Sequence, residues 1–240
     1  MKRYIYKQLL AWKNEKEHKP LILNGARQVG KTYILREFGR NEYKRMAFFS
    51  LDRDQKALEI FNKGGRATDM LMALSAICHE DITPHDTLVV LDEIQNCPKA
   101  LEALKFFCEE TPEIDIVVAG SLLGLSIHSG VSYPVGKVEE LHLYPMTFLE
   151  FLEAMGKTQL VNLLENKNWT VINMLETELI SSLRQYYYVG GMPAAVLAHI
   201  EKKGWKEVRR IQQQIITDYR RDFSKHAPTR EIPRINMVWD

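Results

Sequence analysis

Leu21-Ile22-Leu23-Asn24-Gly25-Ala26-Arg27-Gln28-Val29-Gly30-Lys31-Thr32 is the stretch whose reading decides the fold. An apolar run feeds a Gly-x-x-x-x-Gly-Lys-Thr turn, the sequence form of a phosphate-binding loop between a strand and a helix. Gly25 and Gly30 give the backbone the freedom to fold around an anion, with successive N–H groups turned inward. Lys31 is placed to reach the β- and γ-phosphates of a nucleotide, and Thr32 to offer its hydroxyl to Mg²⁺. Tyr33-Ile34-Leu35-Arg36-Glu37-Phe38 opens a helix whose N-terminal dipole also favours negative charge. The candidate nucleotide contacts are therefore Gly25, Ala26, Arg27, Gln28, Val29, Gly30, Lys31, Thr32 and Tyr33.

Beyond this loop the pattern alternates. Met46 to Leu51 reads as a strand, and Ala57, Leu58 and Phe61, then Met70, Leu71, Leu74 and Ile77, recur at helical spacing. Leu88-Val89-Val90-Leu91 is an apolar strand ending in Asp92-Glu93, about sixty residues past Lys31, which fits a Walker B segment. Pro98 opens a helix through Phe107, and Ile114 to Ser121 supplies another β-branched strand. Residues 124 to 137 read as a Gly-, Ser- and Pro-containing loop, and Val138 to Leu143 as a last strand. Strands alternating with helices imply an α/β fold: a P-loop NTPase parallel sheet with helices on both faces.

From residue 144 onward the pattern is helical. Thr147 and Glu150 form a capping box. Ile172, Leu175, Leu179 and Leu183 mark one apolar face, and Val208, Ile211, Ile215 and Tyr219 another. The expected domains are thus 1–143, a nucleotide-binding domain, and 144–240, a smaller mainly helical segment for which a winged helix is one form. Within it, Tyr186-Tyr187-Tyr188 cannot all face one way on a helix. Gly190 and Gly191 should stop that helix before Pro193 starts the next.

Asp92 is the candidate for holding Mg²⁺ together with Thr32, and Glu93 for directing the attacking water. Ser121, at the end of its strand, is a candidate for contacting the γ-phosphate or that water, and a small loop residue is the alternative. Lys31 completes the catalytic candidates. Gln95 is placed similarly to Ser121, just beyond Glu93, whereas Arg27 and Arg53 lie near enough in sequence to approach phosphates, although solvated side chains are their plainer reading. No Asn-Lys-x-Asp motif follows, which favours adenine over guanine, and no Leu-Ser-Gly-Gly-Gln stretch suggests a transporter ATPase.

Composition limits the partners. Thirty-two basic and thirty-one acidic residues leave a formal charge of +1, so no whole-molecule field draws the chain to nucleic acid or to a membrane. Lys202, Lys203, Lys206, Arg209 and Arg210 are the local basic cluster, diluted by Glu201 and Glu207. No apolar run approaches a membrane span. Lys7 and Gln8 interrupt what would be a signal-peptide core. Cys78, Cys97 and Cys108 have neither disulfide nor zinc spacing, which points to a reducing, cytoplasmic setting.

Taken together, Asn-Gly-Ala-Arg-Gln-Val-Gly-Lys-Thr at 24–32, Leu-Asp-Glu-Ile-Gln at 91–95, Ala-Gly-Ser at 119–121, Tyr-Pro-Met-Thr-Phe-Leu-Glu-Phe at 144–151 and Gly-Gly-Met-Pro-Ala at 190–194 resemble one family. It comprises bacterial and archaeal AAA-type ATP-binding proteins whose P-loop module precedes a domain of unknown function. The resemblance implies an additional-strand ATPase core, binding of ATP with Mg²⁺, and hydrolysis. Two departures stand out. Relatives carry Gly-Arg where this chain has Gly136-Lys137, and if that arginine senses the γ-phosphate, a lysine keeps the charge without the bidentate contact. Relatives also continue beyond Asp240, so a truncated chain is expected. The leading expectation is an ATPase, with self-association as one means of supplying an arginine to the site. The alternative is a nucleotide-gated module binding DNA or protein with little turnover, and a phosphotransferase ranks last because of the Asp92-Glu93 pair.

Overall fold

The computed structural model describes residues 1–121 and 133–226, together with 234, 235 and 237. Most of the loop expected over 124–137, and the chain's last residues, lie outside this set. The described residues form two compact units, one of Ile5–Ala26 and Gly30–Leu143, the other of Met1–Tyr4, Arg27–Val29 and Tyr144–Asp240.

The first unit is a five-stranded sheet, every pair of which is parallel. Its strands are Leu21–Asn24 (β1), Arg45–Ser50 (β2), Thr87–Asp92 (β3), Asp115–Gly120 (β4) and Glu139–His142 (β5), in the order β2-β3-β4-β1-β5. β4 is thus inserted between the phosphate-loop strand and the strand that ends in the carboxylates. Parallel strands covered on both faces need no polar alternation, and β1, β3 and β4 are buried at every position. The two edge strands alternate instead.

Helices Ile5–Asn14 (α1), Lys31–Glu42 (α2), Gln55–Lys63 (α3), Ala67–Cys78 (α4) and Pro98–Glu110 (α5) cover the sheet. Ile22, Val89, Leu91, Ile116 and Val118 meet α3, α4 and α5 in one cluster, where Phe61 and Phe107 stand edge to face. The period of two sends Leu21, Leu23, Leu88, Val90 and Val117 to the other face. Leu9, Ile34, Leu35 and Phe38 of α1 and α2 are buried as well, with Phe38 edge-on to Tyr6 and Tyr43. The expected strand at Met46–Leu51 begins one residue earlier, because Arg45 opposite Thr87 starts the pairing with β3.

In the second unit every regular element among the described residues is a helix: Phe148–Ala154 (α6), Thr158–Glu165 (α7), Trp169–Met174 (α8), Glu176–Val189 (α9), Pro193–Ile200 (α10) and Trp205–His226 (α11). Thr147 and Glu150 form the capping box of α6. The apolar face expected from Ile172 to Leu183 does not run along one helix. Leu175 separates α8 from α9, and its N–H is shared between the carbonyls of Val171 and Ile172. Ile172, Leu175 and Leu179 nevertheless all pack into one cluster with Leu152, Leu160 and Val161.

Two of the stretches that carry the resemblance, Tyr-Pro-Met-Thr-Phe at 144–148 and Gly-Gly-Met-Pro-Ala at 190–194, lock against each other here. The Met146 N–H donates to Gly191 O at 2.7 Å, and Tyr186 Oη donates to Met146 O at 2.7 Å. A Cβ on Gly191 would stand 2.3 Å from that carbonyl oxygen, so only glycine fits. Gly190 ends α9 at φ 74°, ψ −176°, a region essentially reserved for glycine. Of the three tyrosines, Tyr186 is half-buried, and Tyr187 and Tyr188 are exposed.

Candidate functional site

The turn after β1 adopts positive φ at Gln28 (64°) and at Gly30 (98°), and α2 starts directly behind it at Lys31. The Gly25–Thr32 stretch therefore ends on a helix N-terminus, whose unbonded N–H groups suit an anion. Lys31 is only 8% exposed. Its Nζ donates to Gly25 O at 2.7 Å and to Ala26 O at 3.0 Å, which holds the ammonium within the turn. Tyr33, two residues into α2, is exposed.

Across the sheet, Thr32 Oγ1 donates to Asp92 Oδ2 at 2.6 Å. The hydroxyl and the carboxylate, sixty positions apart in sequence, are thus brought into contact. Both are hard oxygen donors of the kind Mg²⁺ takes, with its remaining positions left to waters and phosphate oxygens. The pair fits that ion. Burial raises the Asp92 carboxyl above the usual range, the Thr32 hydrogen bond opposes it, and the Glu93 charge adds to the rise. A cation at this carboxylate would favour its charged form.

Glu93 follows at the strand's end in the left-handed region (φ 57°), and its N–H donates to Asp92 Oδ1 at 3.1 Å. That conformation breaks the strand's alternation. The Glu93 carboxylate accepts a hydrogen bond from Nε2 of Gln95, which is buried on the short 3₁₀ turn Ile94–Asn96. Gln95 thereby gains a defined place that its sequence position only suggested. Ser121 is buried and directly follows Gly120, which pairs with Asn24, so it lies just past the end of β4, the strand inserted between the loop and the carboxylates. Ligands of parallel sheets bind at this carboxyl edge.

Other candidates lie elsewhere. Lys137 is a correction to the γ-phosphate role considered for it. Glu139 pairs with Leu21 and His142 with Asn24, so residue 137 precedes the opposite, N-terminal edge of the sheet. There its ammonium pairs with Glu109 at 3.0 Å. Arg53 is exposed and pairs with Asp52. In the basic cluster, Arg210 is engaged by both carboxylate oxygens of Glu207, and Lys203 pairs with Glu201.

Arg27 is not a free solvated side chain. Its Nη1 lies 2.9 Å from Asp222 Oδ1, and Tyr219 Oη donates to its carbonyl. Arg3 donates to Val29 O at 3.0 Å and pairs with Glu150 at 3.1 Å. Sequence reasoning missed Arg3, Asp218 and Asp222. One signal was available: Asp222 continues the stripe of Val208, Ile211, Ile215 and Tyr219 at helical spacing, where another apolar residue would be expected.

The sheet order, the loop and the adjoining carboxylates define a P-loop ATPase fold of the additional-strand kind. A family model for an AAA domain matches residues 17–152, more than half of the sequence, and the chain belongs to that family. A second model, a domain of unknown function (DUF8612), matches residues 180–240. Among solved structures, the Walker-type ATPase of Pyrococcus abyssi is similar with a TM-score of 0.58 and 16% identity, over 95% of this chain and 76% of that one. The Drosophila ORC bound to DNA is similar with a TM-score of 0.50 and 15% identity, over 88% of this chain and 65% of that one. The chain thus spans just under two thirds of that second structure's length. At such identities the likeness is one of fold. No curated protein matches the sequence. Among the described residues, no helix is long and apolar enough to cross a membrane.

Proposed function

We propose that this protein binds ATP with Mg²⁺ and hydrolyses it, using residues 1–143 for the nucleotide chemistry and 144–240 for the response to it. The observation that carries the reading is the 2.6 Å contact between Thr32 Oγ1 and Asp92, with Glu93 one residue beyond. In this scheme the N–H groups from Gly25 to Tyr33 and the Lys31 ammonium bind the phosphates. Thr32 and Asp92 hold the ion, which when bound neutralises phosphate charge. Glu93, oriented by Gln95, accepts the proton of the attacking water, and Ser121, just beyond the end of β4, orients it. An arginine from a second copy would complete the charge stabilisation, so self-association belongs to the proposal.

Lys31→Ala should abolish ATP binding, and Glu93→Gln should keep binding while phosphate release falls by two orders of magnitude or more. Release by Glu93→Gln at the parental rate would remove Glu93 from its role. Phosphate transferred to an added acceptor rather than to water would make the protein a kinase. Measuring release at several protein concentrations, with and without DNA, tests the partners. A rate per chain that climbs with concentration supports self-association. The DNA-binding alternative is less favoured, because Arg210 and Lys203 are already engaged by carboxylates.

A further inference from the structure

Residues Arg27–Val29, the crown of the phosphate loop, belong to the same compact unit as Met1–Tyr4 and the helices from Tyr144 onward. Within that unit they are held by a set of donors and acceptors from the N-terminal residues and from α11. Tyr219 Oη donates to Arg27 O at 2.6 Å, and Arg3 Nη1 donates to Val29 O at 3.0 Å. Arg27 Nη1 meets Asp222 at 2.9 Å, and Gln28 Nε2 donates to Asp218 at 3.0 Å. Asp218 and Asp222 share one face of α11 at i and i+4, with Tyr219 on the adjoining flank. Arg3 is fixed in turn by Glu150 and by Tyr144 O.

In a trans peptide group the C=O and the following N–H point in opposite directions. A donor on Arg27 O therefore aims the Gln28 N–H away from Tyr219, and a donor on Val29 O aims the Gly30 N–H away from Arg3. Two N–H groups are thus turned away from Tyr219 and Arg3, free of those side chains, before any ligand arrives. Without these bonds each peptide group could rotate, and the ligand would have to order it on binding.

We infer that Tyr219 and Arg3 are positioning residues for phosphate binding, which set the loop's N–H groups from behind through the Arg27 and Val29 carbonyls. This rests on reading the loop as a triphosphate site. Its consequence is that the C-terminal helix and nucleotide affinity are thermodynamically linked, each stabilising the other.

The test uses the full chain and a fluorescent ATP analogue. Tyr219→Phe removes one donor and keeps the ring. Since one hydrogen bond contributes about 1 kcal/mol, the Kd should rise about five- to tenfold. In nucleotide-free protein, amide hydrogen exchange at Gln28 and Gly30 should quicken while the β3 amides exchange as before. Arg3→Ala should weaken binding further, and Arg3→Lys, which retains a single donor, should restore part of it. A Kd for Tyr219→Phe within about twofold of the parent would overturn the inference. So would a weaker Kd accompanied by equally faster exchange in β3, the mark of general loosening. If Tyr219→Phe fails to fold, Asp222→Asn is judged by the same two readouts. Failure of the parent protein to bind the analogue would instead overturn the triphosphate reading, and this inference with it.

Discussion

Glu150 offers the sharpest energetic test of the structure. Its Oε1 accepts from Arg3 Nε at 3.1 Å and from the Tyr4 N–H at 2.8 Å, and its Oε2 accepts from the Thr147 N–H at 2.8 Å. The two charged side chains are 7% and 5% exposed. Glu150→Ala would leave the Arg3 guanidinium with carbonyl partners alone and strip two amide N–H groups of their acceptor. Breaking a buried ion pair from one side costs about 3–5 kcal/mol, and the capping-box loss falls within the upper part of that range. Glu150→Gln keeps an oxygen for the cap but not the charge, and should lose about 2 kcal/mol. Urea unfolding at 25 °C followed by circular dichroism measures both. Glu201→Ala, which removes an exposed partner of Lys203, should leave the midpoint where it was. A Glu150→Ala protein within about 1 kcal/mol of the parent would show that the pair is open to water, and the burial argument would be wrong.

Gly191→Ala should cost about 3 kcal/mol, because its Cβ meets the Met146 backbone. Gly39→Ala, which meets the movable end of Met46, should cost less, and thermal melts of the two variants check the order. Gln95→Ala should lower kcat about tenfold with KM unchanged, since Gln95 orients Glu93 and lies outside the phosphate contacts; steady-state phosphate release reads both constants. His18 supplies a pH dependence. Burial lowers its pKa, but the Asp115 carboxylate at 3.1 Å more than offsets this, and the net shift is upward. Its stabilisation is therefore complete below the unfolded value of about 6.5 and disappears as pH rises through the folded pKa. The parent Tm should fall as pH is raised from 6 toward 8, and His18→Asn should flatten that slope.

What could be read from the sequence was what lies close along the chain. The apolar run before Gly25, the carboxylates closing β3 and the Thr147-Glu150 box each carry their signal within a few residues, and the sheet follows from their alternation. The Gly190-Gly191 stop was legible for the same reason, although its contact with Met146 was not. Arg3 and Glu150 are separated by 147 positions, and Tyr219 lies 192 positions from Arg27, distances at which periodicity carries no information. The role considered for Lys137 came from the resemblance and not from the chain's order: a residue that precedes a strand of a parallel sheet lies at the sheet's N-terminal edge, away from the phosphate loop. The split at Leu175 was hidden because a single-residue break between a short helix and a longer one preserves the apolar spacing of one continuous helix.

The strand order has a consequence for how the molecule is made. β2 and β3 can zip together as neighbours, but Leu21 finds its partners only in Val117 and Glu139, far downstream. During synthesis the strand that leads into Gly25 must wait, unpaired and apolar, until most of the sheet has emerged from the ribosome. The phosphate loop at the end of β1 can therefore take its place in the sheet only after β4 and β5 have both been made.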